Sequence, residues 1–255
     1  MKLTVLGSGT SVPHPQRSSA GFWLETSGGS VLLDCSASSI HRMAQEGLDW
    51  ANLDAVWISH FHLDHIGGLA PLLFGLKYAP ETQSRTKPLT IFGPKGLTDV
   101  LSHFDRAADY GLTEQPFPFA IKEVEPLDQF EILPGVEAAT AKTFHTPESL
   151  ALHVRDTDGA TLVYTSDTGF HQPLAAFARR VDLFLLECSF VEKTPVETHL
   201  MLAEAMFLVG KAEPKAAMFN HFYPEWDEVV FTDEVAKFSP RCEVIEAADG
   251  RVIMI

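Results

Sequence analysis

Within six consecutive residues, His60-Phe61-His62-Leu63-Asp64-His65, the chain presents three imidazoles and a carboxylate directly after the apolar run Ala55 to Ser59. Neutral imidazole nitrogens and a carboxylate oxygen suit zinc and similar divalent ions. Three protein ligands with an open position make such an ion a hydrolytic catalyst; a structural ion is closed off by four. The plain alternative is an exposed His-rich loop, or core histidines whose ring nitrogens are satisfied by neighbours.

Residues of the same kind close other apolar, strand-like runs. Val31-Leu32-Leu33 ends on Asp34, Thr140 to Phe144 on His145, Leu162 to Ser166 on Asp167, Leu183 to Leu186 on Glu187, and Ala216 to Asn220 on His221. If these strands lie in packed sheets, their carboxyl ends gather along one edge, where loops are free to build a site from distant parts of the chain. Each position alone has a bland reading. Asp167, between Ser166 and Thr168-Gly169, suits an Asx-type turn; His145 before Thr146-Pro147 suits a loop, and His221 before Phe222-Tyr223-Pro224 a packed aromatic corner.

The elements that must position these groups read as an alternating α/β chain. Strands are predicted at Lys2 to Leu6, Gly21 to Glu25 and Ser30 to Asp34, the latter pair joined by a Gly28-Gly29 hairpin signal, with a helix from about Ser39 to Gly47. Asp54 to Ser59 is a short strand, Ile66 to Tyr78 a buried helix despite Pro71, Leu89 to Phe92 a strand, and Leu97 to Tyr110 a helix. A strand-rich stretch from Phe119 to Tyr164 precedes renewed alternation: strand Asp182 to Glu187, helix Thr194 to Lys211, strand Ala216 to Asn220, helix Thr232 to Lys237, and a closing Asp249-Gly250 hairpin. Thr194-Pro195-Val196-Glu197 has the pattern of a capping box and sets His199 near the start of its helix.

With 255 residues, 45% hydrophobic and 21% charged, and no Pro, Gly or Ser-rich linker, the chain is expected to form a single metallo-hydrolase domain over residues 1–255. A net charge of −15 repels a long polyanion such as RNA, and the 19 Lys and Arg residues are scattered; a small anionic substrate is favoured over a large nucleic acid. Cys35, Cys188 and Cys242 are odd in number and widely spaced, which fits neither a disulfide framework nor a Cys-based zinc site. A reducing cytoplasm is expected, and no apolar run approaches membrane-spanning length.

His-x-His-x-Asp-His followed by His145, Asp167 and His221 resembles the metallo-β-lactamase fold superfamily over nearly the whole chain. The resemblance implies a four-layer αββα sandwich. Within that superfamily the chain looks most like ribonuclease Z and its phosphodiesterase relatives, through Leu6-Gly7-Ser8-Gly9-Thr10, Asp34-Cys35, Phe92-Gly93-Pro94, Ser166-Asp167-Thr168-Gly169 and the pair Glu187 with His199. Carried over residue by residue, it implies that His60, His62 and His145 hold one metal and Asp64, His65 and His221 a second, with Asp167 bridging. Two divalent ions follow, zinc first and manganese or iron second, because such an N/O donor set selects weakly among them. Between them they ready a hydroxide for attack, and Asp64 also orients that solvent molecule.

The same resemblance makes His199 the acid that protonates the departing alkoxide and Glu187 the carboxylate that fixes its tautomer. Asp34 is expected to orient a ligand imidazole or, equally, to stabilise the Cys35-Ser36 turn, and His14 and Arg17 lie in a polar loop that could touch substrate. The family's transfer-RNA-trimming members carry a protruding arm between the positions of His145 and Asp167; here only 22 positions separate the two, and they read as a hairpin. Leu63 also stands where that family usually has Gly. The expectation is therefore a dinuclear phosphodiesterase acting on small or cyclic phosphodiesters. The alternatives are transfer RNA 3′ processing, lactone or thioester hydrolysis, and a non-catalytic metal-binding scaffold. Related proteins are often dimers, which implies a homodimer.

Overall fold

The computed structural model describes residues 1–192 and 196–255. Its first half contributes strands β1 (Lys2–Gly7), β2 (Gly21–Thr26), β3 (Gly29–Leu33), β4 (Ala55–Trp57), β5 (Leu89–Pro94) and β6 (Phe119–Val124). The second half contributes β7 (Gln129–Leu133), β8 (Val136–Lys142), β9 (Leu150–Arg155), β10 (Thr161–Tyr164), β11 (Leu183–Glu187), β12 (Ala216–Asn220), β13 (Glu243–Glu246) and β14 (Val252–Met254). They form two seven-stranded sheets, ordered β14-β1-β2-β3-β4-β5-β6 and β13-β12-β11-β10-β9-β8-β7. Each is mixed: β3 to β6 run parallel in the first and β10 to β13 in the second, while the remaining neighbours are antiparallel.

The helices are α1 (Ser39–Gln45), α2 (Leu63–Ile66), α3 (Leu69–Tyr78), α4 (Leu97–Arg106), α5 (Pro173–Phe177), α6 (Leu202–Ala212) and α7 (Phe231–Ala236). Strand periodicity decides which face meets which layer. Phe22, Leu24, Val31 and Leu33 point into the core shared with Leu152, Tyr164 and Phe184 of the second sheet, whereas Trp23 and Leu32 between them join Met43 of α1, Leu72 of α3 and Leu101 of α4. Both faces of the first sheet are therefore covered, which is why its central strands read as continuous apolar runs. α6 supplies Leu202, Ala205 and Leu208 to the other core, completing an αββα sandwich.

Three predicted elements require correction. The helix predicted from Ile66 begins at Leu69, because Gly67-Gly68 separates it from α2, which ends at Ile66; a Cβ on Gly68 would collide with the Ser36 carbonyl oxygen, and its N–H donates to the Cys35 carbonyl at 2.8 Å. The helix predicted from Thr194 begins at Leu202, so His199 belongs to the preceding loop. Thr194 and Pro195 lie outside the described residues, and the start is capped instead by Glu204, whose carboxylate accepts from the Met201 N–H at 3.1 Å. Asp249-Gly250 does turn the chain, but the flanking strands are not paired: β13 closes one sheet against β12, and β14 closes the other against β1. Cys35, Cys188 and Cys242 are free thiols, the first two buried, and among the described residues no helix is long and apolar enough to cross a membrane.

Candidate metal centre

The parallel strands of both sheets deliver their carboxyl ends to one cleft. β4 leads through Ile58 and Ser59 to His60, and the single turn of α2 carries Asp64 and His65 side by side with His62 at its extended N-cap. The chain bends sharply after three other strands. Asp34 after β3, Ser166 after β10 and His221 after β12 all have left-handed backbones, with φ of 57°, 54° and 62°. That region disfavours residues with a Cβ by about 1 kcal/mol or more each, so the surrounding bonds must hold them there. They do: the Asp34 N–H donates to Trp57 O at 2.8 Å, and the Phe222 N–H to Ser8 O at 3.0 Å.

The donor atoms of His60, His62, His145 and Asp167 lie within 4.8 Å of one another, and so do those of Asp64, His65 and His221. Asp167 stands between the two groups. Its Oδ2 is 3.9 Å from His60 Nε2, 3.6 Å from His145 Nε2 and 3.3 Å from His221 Nε2, and its Oδ1 is 3.2 Å from His65 Nε2. Asp64 Oδ2 is 3.5 Å from His221 Nε2 and 3.7 Å from His65 Nε2. Ligands about 2.1 Å from a tetrahedral ion sit about 3.4 Å from each other, so these spacings suit donors sharing a cation. The Nε2 atoms of His60, His65 and His221 are moreover buried and have no hydrogen-bond partner. Three such orphans in one cleft are expensive unless a cation takes their lone pairs.

Electrostatics point the same way for part of the set. Burial, then the neighbouring His65 imidazole, pushes His60 well below the ordinary histidine range and keeps it neutral, and burial also lowers His145. For Asp167, burial favours the neutral acid, but the His221 and His65 imidazoles outweigh it and hold the carboxyl well below its usual range. His65 is the exception. Burial opposes its charge, yet Asp167 and Asp34 raise it well above the ordinary value, so a cation entering there displaces a proton.

Outside the donors sits a layer that sequence reasoning located only at Asp34. Its Oδ2 accepts from His65 Nδ1 at 2.7 Å, Ser59 Oγ at 2.8 Å and Tyr164 OH at 2.7 Å, and its Oδ1 from the Ser59 N–H at 2.8 Å. With Nδ1–H committed to Asp34, His65 turns Nε2 into the cleft. Ser59 Oγ lies 3.0 Å from His60 Nδ1, Ser189 Oγ 3.0 Å from His221 Nδ1, and the Thr198 carbonyl 2.9 Å from His145 Nδ1. Hydroxyl residues carry no spacing signature, so Ser59, Ser189 and Tyr164 could be found only once the strand ends were brought together.

His199 reaches the same cleft from its loop; its donor atoms group with those of Asp167 and His221, and its ring stacks on His221 with centroids 5.2 Å apart. Its Nδ1 is 3.0 Å from Glu187 Oε1, and Glu187 is fully buried at the end of β11. Burial opposes charge on His199, but the Glu187 carboxylate overcomes this and pushes the imidazole up to about 9. His14 and Arg17 both pair with Asp227, and the Arg17 guanidinium lies 5.5 Å from the Phe222 ring centroid beside His221. They brace the loop next to the cleft.

Comparison with known proteins agrees with this fold. Residues 1–245 match the family described as anti-Pycsar protein Apyc1. A ribonuclease Z of Agathobacter rectalis is 25% identical, with 88% of each chain covered. Among solved structures, the short form of human tRNase Z superposes with a TM-score of 0.81 at 21% identity, over 100% of this chain and 99% of that one. The metallo-β-lactamase fold protein YhfI from Bacillus subtilis superposes with a TM-score of 0.79 at 22% identity, over 99% of each. The architecture is thus the metallo-β-lactamase sandwich.

Proposed function

The chain belongs to the anti-Pycsar protein Apyc1 family, and from that membership together with the paired donor groups we propose that it is a dinuclear metal-dependent phosphodiesterase acting on small or cyclic phosphodiesters. The observation that carries this reading is the Glu187–His199 pair opening onto the same cleft as seven metal-competent side chains. The thiolate that a thioester releases needs little protonation, whereas an alkoxide leaving phosphorus needs an acid.

In this proposal His60, His62 and His145 would hold one ion and Asp64, His65 and His221 the other, with the Asp167 carboxylate available to both. Divalent ions held there, zinc by preference and manganese or iron next, supply Lewis-acid stabilisation of the phosphoryl oxygens and a water molecule of lowered pKa. Asp64, whose side chain is one-tenth exposed at the cleft, orients the attacking water and accepts its proton. His199 gives its proton to the departing oxygen as the P–O bond breaks, while Glu187 holds Nδ1 and keeps the ring aimed. Asp34 and the serines behind the ligands keep each imidazole in the required tautomer.

Two features favour a small substrate. The 22 positions from His145 to Asp167 hold little more than the β9–β10 hairpin, and the net charge of −15 opposes a long polyanion. Leu63 and Phe144, 69% and 47% exposed beside the ligands, offer apolar surface to a base or sugar. The ribonuclease Z relatives favour a second reading, cleavage of a transfer RNA precursor. A single panel decides between them: metal-reconstituted protein and His199→Ala against a bis-aryl phosphodiester, cyclic nucleotides, a pre-tRNA and a lactone. Turnover of the cyclic nucleotides, with His199→Ala slowed about 10²–10⁴-fold on alkoxide-releasing substrates, is expected. Hydrolysis of the lactone alone refutes the reading, and an unchanged mutant rate removes His199 from the mechanism.

A further inference from the structure

Glu187 touches more than His199. Its Oε1 accepts from the Thr168 N–H at 2.6 Å and from His199 Nδ1 at 3.0 Å; its Oε2 accepts from Ser189 Oγ at 2.6 Å and from the Leu200 N–H at 3.0 Å. An ionised carboxylate has about four lone-pair positions and no donor, so this buried group is saturated and each partner must donate to it. The direction of every neighbouring bond then follows. Ser189 has one hydroxyl hydrogen, already committed to Oε2, so towards His221 Nδ1 at 3.0 Å it can only accept. His221 therefore carries a hydrogen on Nδ1, which leaves Nε2, 3.5 and 3.3 Å from Asp64 and Asp167, as the ring atom placed to take a cation.

We infer that Ser189 is a positioning residue that transmits the orientation imposed by Glu187 to the metal-ligand candidate His221, so that one carboxylate organises both the proton donor and the second metal position. The two histidines, stacked 5.2 Å apart, meet that carboxylate in different ways. His199 touches it directly, which places a negative charge against the ring and favours the imidazolium an acid requires. His221 sees it through a neutral hydroxyl, which fixes Nδ1 as the donor nitrogen and turns Nε2 into the cleft. The Oε1 bond to Thr168, next in the chain to Asp167, anchors the bridging carboxylate to the same point. Glu187 and Ser189 are both 0% exposed, so water cannot substitute for either.

This inference rests on the two-ion reading, and its test is chosen to be independent of substrate. Zinc is titrated into metal-free wild type, Ser189→Ala and Ser189→Thr against a chelating dye that resolves the two affinities. Ser189→Ala is expected to weaken one of the two ions about 10–100-fold, the usual effect of deleting such a partner, and to leave the other unchanged. Ser189→Thr keeps the hydroxyl and is expected to bind both ions within about threefold of wild type. Equal affinities in Ser189→Ala and wild type, or an equal loss of both ions, overturn the inference, as does a threonine variant that loses one ion as severely as alanine. Wild type binding fewer than two ions overturns this inference and the functional reading together. Normal zinc binding with no turnover of any phosphodiester overturns only the functional reading.

Discussion

Replacing Glu187 by glutamine keeps the shape of the side chain and removes its ability to accept on both sides. Four donors converge on the carboxylate: the Thr168 and Leu200 N–H groups, His199 Nδ1 and Ser189 Oγ. The amide NH2 carries only donors. Turned towards Thr168 and His199 it opposes two N–H groups; turned towards Ser189 and Leu200 it opposes one, while the serine hydroxyl must swing its hydrogen away. The second choice is the cheaper, and it leaves the Leu200 N–H unpaired. One buried orphan donor costs about 1–3 kcal/mol, and loss of charge assistance in the remaining bonds adds a similar amount, giving about 2–6 kcal/mol in all. Removing a buried charge relieves its desolvation, but that relief counts only where the former partners find other acceptors, and 0% exposure denies them water. Equilibrium urea unfolding of the metal-free proteins measures the difference directly, and at about 2–4 °C per kcal/mol the midpoint of thermal unfolding should drop by roughly 4–24 °C. A loss under about 1 kcal/mol would refute the saturated-carboxylate picture, and with it the bond directions drawn from it.

Two further outcomes follow from the same site. His199, pushed up to about 9, is protonated more readily in the folded chain than at its ordinary value of 6.5. Its contribution to stability is therefore fully present below pH 6.5 and lost as pH rises through about 9. Urea unfolding of metal-free protein should show wild type losing on the order of 3 kcal/mol more than His199→Ala across that window, and parallel pH profiles would contradict the assignment. Asp34→Asn keeps an oxygen for His65 Nδ1 but sets an NH2 against the Ser59 N–H or the ring; competition titration should show zinc affinity weakened about 10–100-fold, and unchanged affinity would mean that Asp34 serves only the fold.

What could be read from the chain alone divides along physical lines. The six-residue His60–His65 cluster declared itself because its donors are adjacent in sequence, and the strands ending at Asp34, Asp167, Glu187 and His221 declared themselves because both sheet faces are buried and the runs are continuously apolar. Elements whose partners lie elsewhere were harder. Asp249-Gly250 has genuine turn chemistry, with Gly250 at φ 85°, but a turn residue does not specify that its two strands join different sheets. The Thr194 to Glu197 pattern imitates a helix start that the chain makes at Met201 and Glu204, and the difference moves His199 from a helix onto a loop that faces the cleft. The left-handed backbones at Asp34, Ser166 and His221 leave no mark in residue type, since none is glycine. Ser59, Ser189 and Tyr164 gain their roles through partners 25, 32 and 130 positions away: Asp34, His221 and Asp34.

The central claim is that side chains from both sheets hold two divalent ions around Asp167, and diffraction from zinc-loaded crystals at the metal's absorption edge tests it most directly. Two anomalous peaks about 3.5–4 Å apart, one against His60, His62 and His145 and the other against Asp64, His65 and His221, are predicted. A single peak, or zinc bound away from Asp167, would contradict the account.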